Sequence, residues 1–193
     1  MKIAVHGVTG RMGQCVIRLA AAEGLTIVED RLLQLTWQEG VAFEYDLATF
    51  EPRRELHYEG EGWGLCLDTR GNRLIMSDGS STLTFRDPAT FEERGTVRVT
   101  RQGRGQRMLN ELECVDGVVY ANVWQTEELV RIDPETGHVT AVIDAHGLLT
   151  QQDSLGADEL NGIAYLPASQ HFLITGKWWP AMFEVVFEPV AAN

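Results

Sequence analysis

The sequence is poor in the residues from which metal centres and disulfide frameworks are built. Its 193 residues include 3 cysteines and 5 histidines, and the histidines show neither an HExxH motif nor another paired spacing of metal ligands. Cys15, Cys66 and Cys114 are too few and too scattered for a disulfide framework or a cysteine-based metal site, so we expect buried thiols. The sequence therefore argues against a zinc enzyme and predicts no metal and no cofactor.

Positive charge is also scarce. The chain has 16 lysines and arginines against 28 aspartates and glutamates, for a net charge of -12. This balance argues against a nucleic-acid surface and is compatible with small cationic substrates such as peptide amino termini. No apolar run is long enough to span a bilayer, and glycines and arginines interrupt the amino-terminal apolar residues, unlike in a secretory signal. We therefore expect no nucleic-acid partner, no membrane partner and, for the sequence as written, a cytoplasmic location.

Residues 109–137 define a unit that recurs along the chain. A strand at residues 109–115 leads into Asp116-Gly117, a strong two-residue hairpin turn. A β-rich run follows at residues 118–124. A third short strand, residues 129–132, ends in the turn that begins at Asp133. The unit therefore reads as an antiparallel meander.

Three other segments repeat this order of strands and turns: residues 23–51, 62–93 and 160–189. Three of the four units end in a turn that carries aspartate and threonine. The aspartates of these turns, which are 41 and 46 residues apart, are Asp46, Asp87 and Asp133. A period of 40 to 50 residues with three or four strands per unit is typical of a β-propeller. The repeat thus predicts an all-β fold.

Residues 1–22 follow a different pattern. An apolar strand at residues 1–6 is followed by a glycine-rich turn at residues 7–13 and a helical run at residues 14–22, which is how a dinucleotide-binding fold begins. The letters MKIAVHGVTGRMGQCVIRLA resemble the amino terminus of dihydrodipicolinate reductase, whose GxxGRMG loop binds the pyrophosphate of NAD(P)H. A dinucleotide site needs at least two βαβ units, and nothing after Asp30 looks like α/β. We therefore predict a foreign βα fragment that packs poorly on the propeller, with an NAD(P)H-dependent reductase as an alternative.

From Glu23 onward the chain resembles the plant and bacterial type of glutamine cyclotransferase. The resemblance rests on the motifs EGLT, LTW, GWGL, SDGSSTL, LNELE, ANVWQT, RIDP, LNGIA and TGKWWP. That family folds as a five-bladed β-propeller and converts an amino-terminal glutamine into pyroglutamate, releasing ammonia without a catalytic metal. Its upstream blade with a TQG motif has no counterpart here. The resemblance implies a propeller domain truncated to about four blades at residues 23–193, after the βα fragment at residues 1–22.

The resemblance places the family's general acid/base on Glu23. Cyclisation requires one group to take a proton from the attacking amine and then to give one to the departing nitrogen, and a carboxylate serves both steps. In sequences of the family, EGLT usually follows a phenylalanine and a glycine, whereas Ala21 and Ala22 precede it here. Glu23 also fits the end of the reductase-like helix, so both interpretations stay open.

Five further residues match the substrate-binding positions of the family: Trp37, Trp63, Asn110, Trp124 and Lys177. Each has a structural alternative. A tryptophan in a strand is usually part of the core, an asparagine at the start of a strand is usually a turn or cap residue, and a lysine is often solvated. We expect Trp37, Trp124 and Lys177 to lie on inner strands and to point at a common axis.

The implied function is glutaminyl-peptide cyclotransferase, an acyltransferase acting on peptides or proteins with amino-terminal glutamine and possessing reduced activity if the first blade is missing. Such an enzyme curls the substrate so that its free amine reaches its own side-chain amide carbon, and it places a donor or cation near the developing oxyanion. The alternative is a non-catalytic propeller that serves as a binding module or is an inactive remnant.

Overall fold

The computed structural model describes residues 25–189 in full and residues 2–8 by their backbone. The regular structure of these residues consists of strands, with no helix among them. In chain order the strands are β1 (Lys2–Val8), β2 (Leu25–Val28), β3 (Arg31–Leu35), β4 (Val41–Asp46), β5 (Pro52–His57), β6 (Gly64–Asp68), β7 (Arg73–Ser77), β8 (Thr82–Arg86), β9 (Glu93–Arg98), β10 (Thr100–Arg101), β11 (Arg104–Gly105), β12 (Leu109–Val115), β13 (Val118–Val123), β14 (Glu128–Ile132), β15 (Val139–Asp144), β16 (Leu160–Leu166), β17 (His171–Gly176) and β18 (Phe183–Glu188).

Four antiparallel blades are built from these strands. Blade 1 is β2–β5, blade 2 is β6–β9, blade 3 is β12–β15, and blade 4 has the order β16-β17-β18-β1. The first strand of each blade is the innermost, and the inner strands of successive blades pack against one another. The predicted all-β propeller of about four blades is therefore confirmed.

Alternation along the second strands explains how the blades pack. Successive residues of a strand point to opposite faces of its sheet, and in β7 Leu74 and Met76 join an apolar cluster with blade 1, whereas Ile75 joins a cluster with blade 3. A third cluster, which includes Leu129 and Ile174, fills the space between blades 3 and 4. Each of these buried side chains contributes about 1.5–3 kcal/mol. Among the described residues no such cluster joins blade 4 to blade 1.

Strand β1 belongs to blade 4. It pairs with β18 in antiparallel register from Lys2 opposite Glu188 to Val8 opposite Phe183, and Lys2 also meets Asp144 of β15 in parallel. The predicted strand is thus present, but the expectation that this segment packs poorly is wrong for residues 2–8. An exposed edge such as that of β18 pairs readily with any extended segment. The predicted helix at residues 14–22 and the domain boundary after residue 22 lie outside the described residues, so both stay predictions.

The turns follow their sequence signals. Asp116 and Gly117 have φ values of 52° and 76°, and two successive positive φ values are the signature of a type I′ hairpin turn. The carboxylates of Asp46 and Asp87 each accept two backbone N–H groups from the residues two and three positions ahead. These repeated turns end the third strand of their blades, as the spacing predicts.

Cys66 and Cys114 form a disulfide, with their Cα atoms 5.5 Å apart. The expectation of buried thiols is therefore wrong for these two residues, and Cys15 lies outside the described residues. The two cysteines are 48 residues apart, which is close to the length of one repeat, so they fall on the inner strands β6 and β12 of adjacent blades. The bond links blades 2 and 3 next to the propeller axis.

Within residues 25–189, no cluster of three or more histidine, cysteine, aspartate or glutamate side chains has the arrangement of a metal site. No helix in the described part of the chain is long and apolar enough to cross a membrane.

Candidate active site

A cavity of about 560 Å³ lies at the end of the propeller where the second strands of the blades finish. All five residues that were predicted to bind substrate line it, and they come from all four blades. The five are Trp37, Trp63, Asn110, Trp124 and Lys177. Positions up to 140 residues apart in the sequence therefore meet in one place.

Three of the five lie in loops, although they were expected to lie on inner strands. Trp124 and Lys177 directly follow the second strands β13 and β17 of their blades, and Trp37 is the second residue after β3. Hydrogen bonds hold two of these loops to the segment that leads into an inner strand: Trp124 N–H donates to the carbonyl of Met108 at 2.8 Å, and Lys177 N–H donates to that of Glu159 at 3.0 Å. The loops reach the cavity because the second strand of each blade ends at the same edge where an inner strand begins.

The tryptophans form what we call the aromatic wall (Trp37, Trp63 and Trp124). The rings of Trp63 and Trp124 meet edge to face with their centroids 5.3 Å apart, an arrangement that adds stability beyond burial alone. Trp37 is 61% exposed, so core packing does not explain it. The wall gives the cavity an apolar side large enough for a curled aliphatic chain.

Glu61 fixes two members of this wall. Its Oε2 accepts the indole N–H of Trp63 at 2.7 Å and that of Trp37 at 2.9 Å. These bonds, the one from Trp63 foremost, hold the pKa of Glu61 below its ordinary value. A charged acceptor makes such bonds roughly twice as strong as neutral ones, so Glu61 holds a ring from blade 1 and a ring from blade 2 in a fixed relation.

Three other lining residues form what we call the polar wall (Asn110, Asn161 and Lys177). Asn110 and Asn161 are each the second residue of an inner strand, β12 and β16, and are 6% and 5% exposed. Both asparagines lie inside a shift of register, between Leu109 and Leu112 and between Leu160 and Ile163, which is the mark of a β-bulge. Bulges re-aim side chains and occur frequently beside active sites.

Lys177 supplies the positive charge of the polar wall. Its Nζ lies 3.8 Å from the carboxylate of Glu159, and its side chain is 42% exposed. A pair this long and this exposed contributes little to stability, and within the described residues the ammonium makes no shorter polar contact. The three N–H donors of Lys177 are therefore available to a ligand in the cavity. The neighbouring Trp178 is 83% exposed and does not line the cavity.

A sequence model described as glutamine cyclotransferase matches residues 10–187. The chain belongs to the glutamine cyclotransferase family. The match begins inside the segment that resembles dihydrodipicolinate reductase, and it gives that second resemblance no support.

Two relatives give the scale of the similarity. The chain is 37% identical over 175 residues to a glutaminyl-peptide cyclotransferase from Arabidopsis thaliana, a match that takes in 89% of this chain and 54% of that protein. The crystal structure of glutaminyl cyclase from Myxococcus xanthus superposes with a TM-score of 0.80 at 42% identity, covering 87% of this chain and 73% of the other. The chain thus spans about half the length of its Arabidopsis relative.

Glu23, the acid/base candidate that the family motif indicates, lies outside the described residues. Its place relative to the cavity stays a prediction. The described chain resumes with β2, where Leu25 pairs with Gln34, and Gln34 lines the cavity.

Among the residues of the two walls and their hydrogen-bond partners, sequence reasoning missed Glu61 and Asn161. Glu61 precedes the GWGL motif without belonging to it, and a glutamate there gives no sign of the indole groups it binds. Asn161 had a signal, because LNGIA repeats the leucine and asparagine of LNELE one blade later. Comparing the two motifs position by position would have found it.

A second cavity, of about 360 Å³, is lined by the inner strands of all four blades. Glu113 lies in it beside Cys114 and Tyr165. Burial raises the pKa of Glu113 to about 7, although a backbone hydrogen bond from Tyr165 opposes the shift. This cavity shares no lining residue with the first.

Proposed function

We propose that the chain cyclises the amino-terminal glutamine of peptides or proteins to pyroglutamate and releases ammonia. The observation that carries this proposal is the convergence of Trp37, Trp63, Asn110, Trp124 and Lys177 on one cavity. Each matches a family motif, and they come from four different blades. Chance packing gives no reason for these five positions to share one space.

The aromatic wall supports the first requirement of the reaction. An amino-terminal glutamine must curl until its α-amine lies against its own side-chain amide carbon, and holding that conformation supplies much of the rate enhancement of such intramolecular reactions. Trp63 and Trp124 present a fixed apolar surface for the curled methylenes. A cavity of about 560 Å³ has room for one amino-terminal residue and its neighbouring peptide bond.

The polar wall supports the second requirement. Attack turns the amide oxygen into an oxyanion, and a donor that is already in place stabilises the developing charge without reorganising. The Lys177 ammonium is the cation of this cavity. Asn110, a buried residue of the same cavity, places the substrate by hydrogen bonding.

Glu23 completes the mechanism as acid/base. The neutral α-amine attacks the amide carbon and forms the ring C–N bond. Glu23 then takes a proton from the ring nitrogen and delivers one to the amide nitrogen, so that the C–N bond to this nitrogen breaks and ammonia leaves. Because the neutral amine is the nucleophile, the rate rises with pH toward the amine pKa of about 8.

Ammonia release from a glutaminyl peptide, with mass spectrometry of the blocked product, tests the proposal. Glu23→Gln is nearly isosteric and should lower kcat/KM by about 100- to 10,000-fold, because a positioned general acid/base contributes that much. The same peptide with an acetylated amino terminus is the substrate control, since it has no nucleophilic amine.

Three outcomes would count against the proposal. Ammonia release no faster than in buffer would remove the activity itself. An unchanged rate in Glu23→Gln would remove Glu23 from the mechanism. Loss of activity on adding a zinc chelator would replace the proposed chemistry with that of a metal.

A further inference from the structure

Asn161 carries an enclosed oxygen with no hydrogen-bond donor. Its side chain is 5% exposed, and its Oδ1 accepts no hydrogen bond from the described part of the chain. Leaving a buried amide oxygen unpaired has an unfavourable free energy comparable to that of losing a hydrogen bond. Asn161 also lines the cavity, so a rotation of its side-chain amide brings Oδ1 to a ligand held there, which supplies the missing donor.

The backbone around Asn161 is built to hold this arrangement. The next residue, Gly162, has a φ of 137°, a conformation that L side chains rarely adopt. Its N–H donates to Oδ1 of Asn122 on β13 at 3.2 Å, and Asn122 is fully buried. A side chain of blade 3 thus fixes the bulge of blade 4 at the point where Asn161 enters the cavity.

Asn161 and Lys177 lie close enough to act on one chemical group. Leu160 pairs with Gly176, the last residue of β17. Asn161 and Lys177 are the next residues along the chain from this pair, and both line the cavity. Lys177 offers N–H donors, and Asn161 offers an oxygen acceptor. The side-chain carboxamide of glutamine offers the complement, since its oxygen accepts and its nitrogen donates from the same carbon atom.

We infer that Asn161 accepts a hydrogen bond from the substrate's side-chain carboxamide N–H, and that it thereby selects glutamine over glutamate at the amino terminus. This inference rests on the proposed function. A glutamate side chain has no N–H group. In its ionised form it turns a charged oxygen toward Oδ1 of Asn161. A site that is built to bind an N–H group discriminates strongly against an analogue without it, because its own polar atom then stays unpaired.

The experiment uses the full chain, two dipeptide amides and the variant Asn161→Leu, which removes the oxygen and nearly conserves volume. The peptides are glutaminyl-alanine amide and glutamyl-alanine amide. Tryptophan fluorescence measures the binding of each peptide to the cavity, and ammonia release measures turnover of the first. Thermal unfolding reports on the fold.

The wild type should bind the glutaminyl peptide more tightly than the glutamyl peptide. Asn161→Leu should lower kcat/KM for the glutaminyl peptide by about 10- to 100-fold, as expected for one lost hydrogen bond in a buried site, and the binding preference should fall by a similar factor. The melting temperature should stay the same or rise, because the buried unpaired oxygen is gone. A purely structural role predicts the opposite, a lower melting temperature with an unchanged preference.

Two further variants serve as a replacement and as a control. Asn161→Ala replaces the leucine variant if that one fails to fold. Asn72→Gly, in the turn at the far end of blade 2 with a φ of 46°, is the matched control and should leave binding, turnover and melting temperature unchanged.

The two levels of failure are distinguishable. A wild type that prefers the glutaminyl peptide but releases no ammonia contradicts the proposed function. The binding measurements alone then test whether Asn161 selects glutamine. A wild type with no preference, or an Asn161→Leu variant that keeps both preference and turnover within about 2-fold, overturns the inference.

Discussion

The aromatic wall and the polar wall of the cavity differ in how their polar atoms are satisfied. In the aromatic wall, the indole N–H groups of Trp37 and Trp63 are both bound to Glu61. In the polar wall, Oδ1 of Asn161 accepts no hydrogen bond from the described residues, and Lys177 has a distant carboxylate at 3.8 Å as its partner there. Two of the three indole N–H groups of the first wall are therefore bound without a ligand, whereas the described residues give Oδ1 of Asn161 no donor and the ammonium of Lys177 no close partner.

This difference assigns separate tasks to the two walls. Satisfied polar atoms have little to gain from a ligand, so the aromatic wall acts through its shape and its apolar area. Unsatisfied donors and acceptors gain most when a ligand or a transition state supplies the partner. Changes in the aromatic wall should therefore alter substrate binding alone, whereas changes in the polar wall should also alter the chemical step.

Lys177→Met should have the largest effect on catalysis among changes to the walls. Methionine keeps the length of the side chain but removes the charge, and loss of one oxyanion-stabilising donor costs about 100- to 1,000-fold in kcat. KM should change little. Steady-state kinetics of ammonia release on a glutaminyl peptide measures both.

Arg70→Met is the matched control for this prediction. Arg70 is an exposed residue in the turn after β6, at the end of blade 2 away from the cavity, and its replacement changes net charge by the same amount. Lys177→Arg should restore part of the rate because it keeps a cation in place. A Lys177→Met enzyme with a raised KM and a normal kcat would show that the lysine contributes only to binding.

The fold and the residues of the two walls could be predicted from the sequence to different degrees. Hairpin turns such as Asp116-Gly117 and the recurring aspartate turns are local signals, so the number of blades followed from them. Five cavity residues followed from family motifs, because each motif keeps its position within a blade. Glu61 could not be found in this way, since its role depends on two rings that meet only in the folded blades.

The structural features that the sequence did not predict also share a physical cause. The Cys66–Cys114 disulfide depends on which inner strands are neighbours across blades. The pairing of β1 with β18 depends on which strand edge is left open. The bulges at Asn110 and Asn161 depend on the register of two strands. None of these is fixed by local propensity or periodicity, because each is a property of elements that are distant in the chain.

Glu61→Ala should have a smaller effect and a different one. Without the carboxylate, Trp37 and Trp63 lose their common acceptor and the aromatic wall loses its fixed shape. KM should rise by about 10-fold while kcat stays within about 2-fold, the pattern of an interaction that binds the ground state and the transition state equally. Near-ultraviolet circular dichroism should show the loosened indoles independently of turnover.

Glu59→Ala is the control for Glu61→Ala, since Glu59 is an exposed glutamate two residues earlier. It should leave kinetics and near-ultraviolet signal unchanged. If Glu61→Ala lowers kcat as much as Lys177→Met does, the separation of tasks between the two walls is wrong.

Glu113→Gln should have the smallest effect on turnover, and it tests whether a buried carboxyl group outside the walls acts on stability alone. Glu113 lies in the second cavity, and burial raises its pKa from the ordinary 4.5 to about 7. A carboxyl whose pKa is higher in the folded state favours folding below pH about 4.5, and this contribution is lost as the pH rises through about 7. Glutamine resembles the protonated form at every pH. The variant should therefore match the wild type near pH 4.5 and exceed its free energy of unfolding by roughly 3 kcal/mol at most at pH 8.

Urea unfolding of both proteins at a series of pH values between 4.5 and 8 measures the difference. Glu55→Gln, at an exposed position on β5, controls for the loss of one negative charge and should show no such growth with pH. The kcat/KM of Glu113→Gln should equal that of the wild type, because Glu113 lines a cavity that shares no residue with the two walls. A difference in stability that is constant between pH 4.5 and 8 would mean that Glu113 does not titrate in this range. A loss of turnover would mean that the second cavity takes part in the reaction, and the division between shape and chemistry would then extend beyond the two walls.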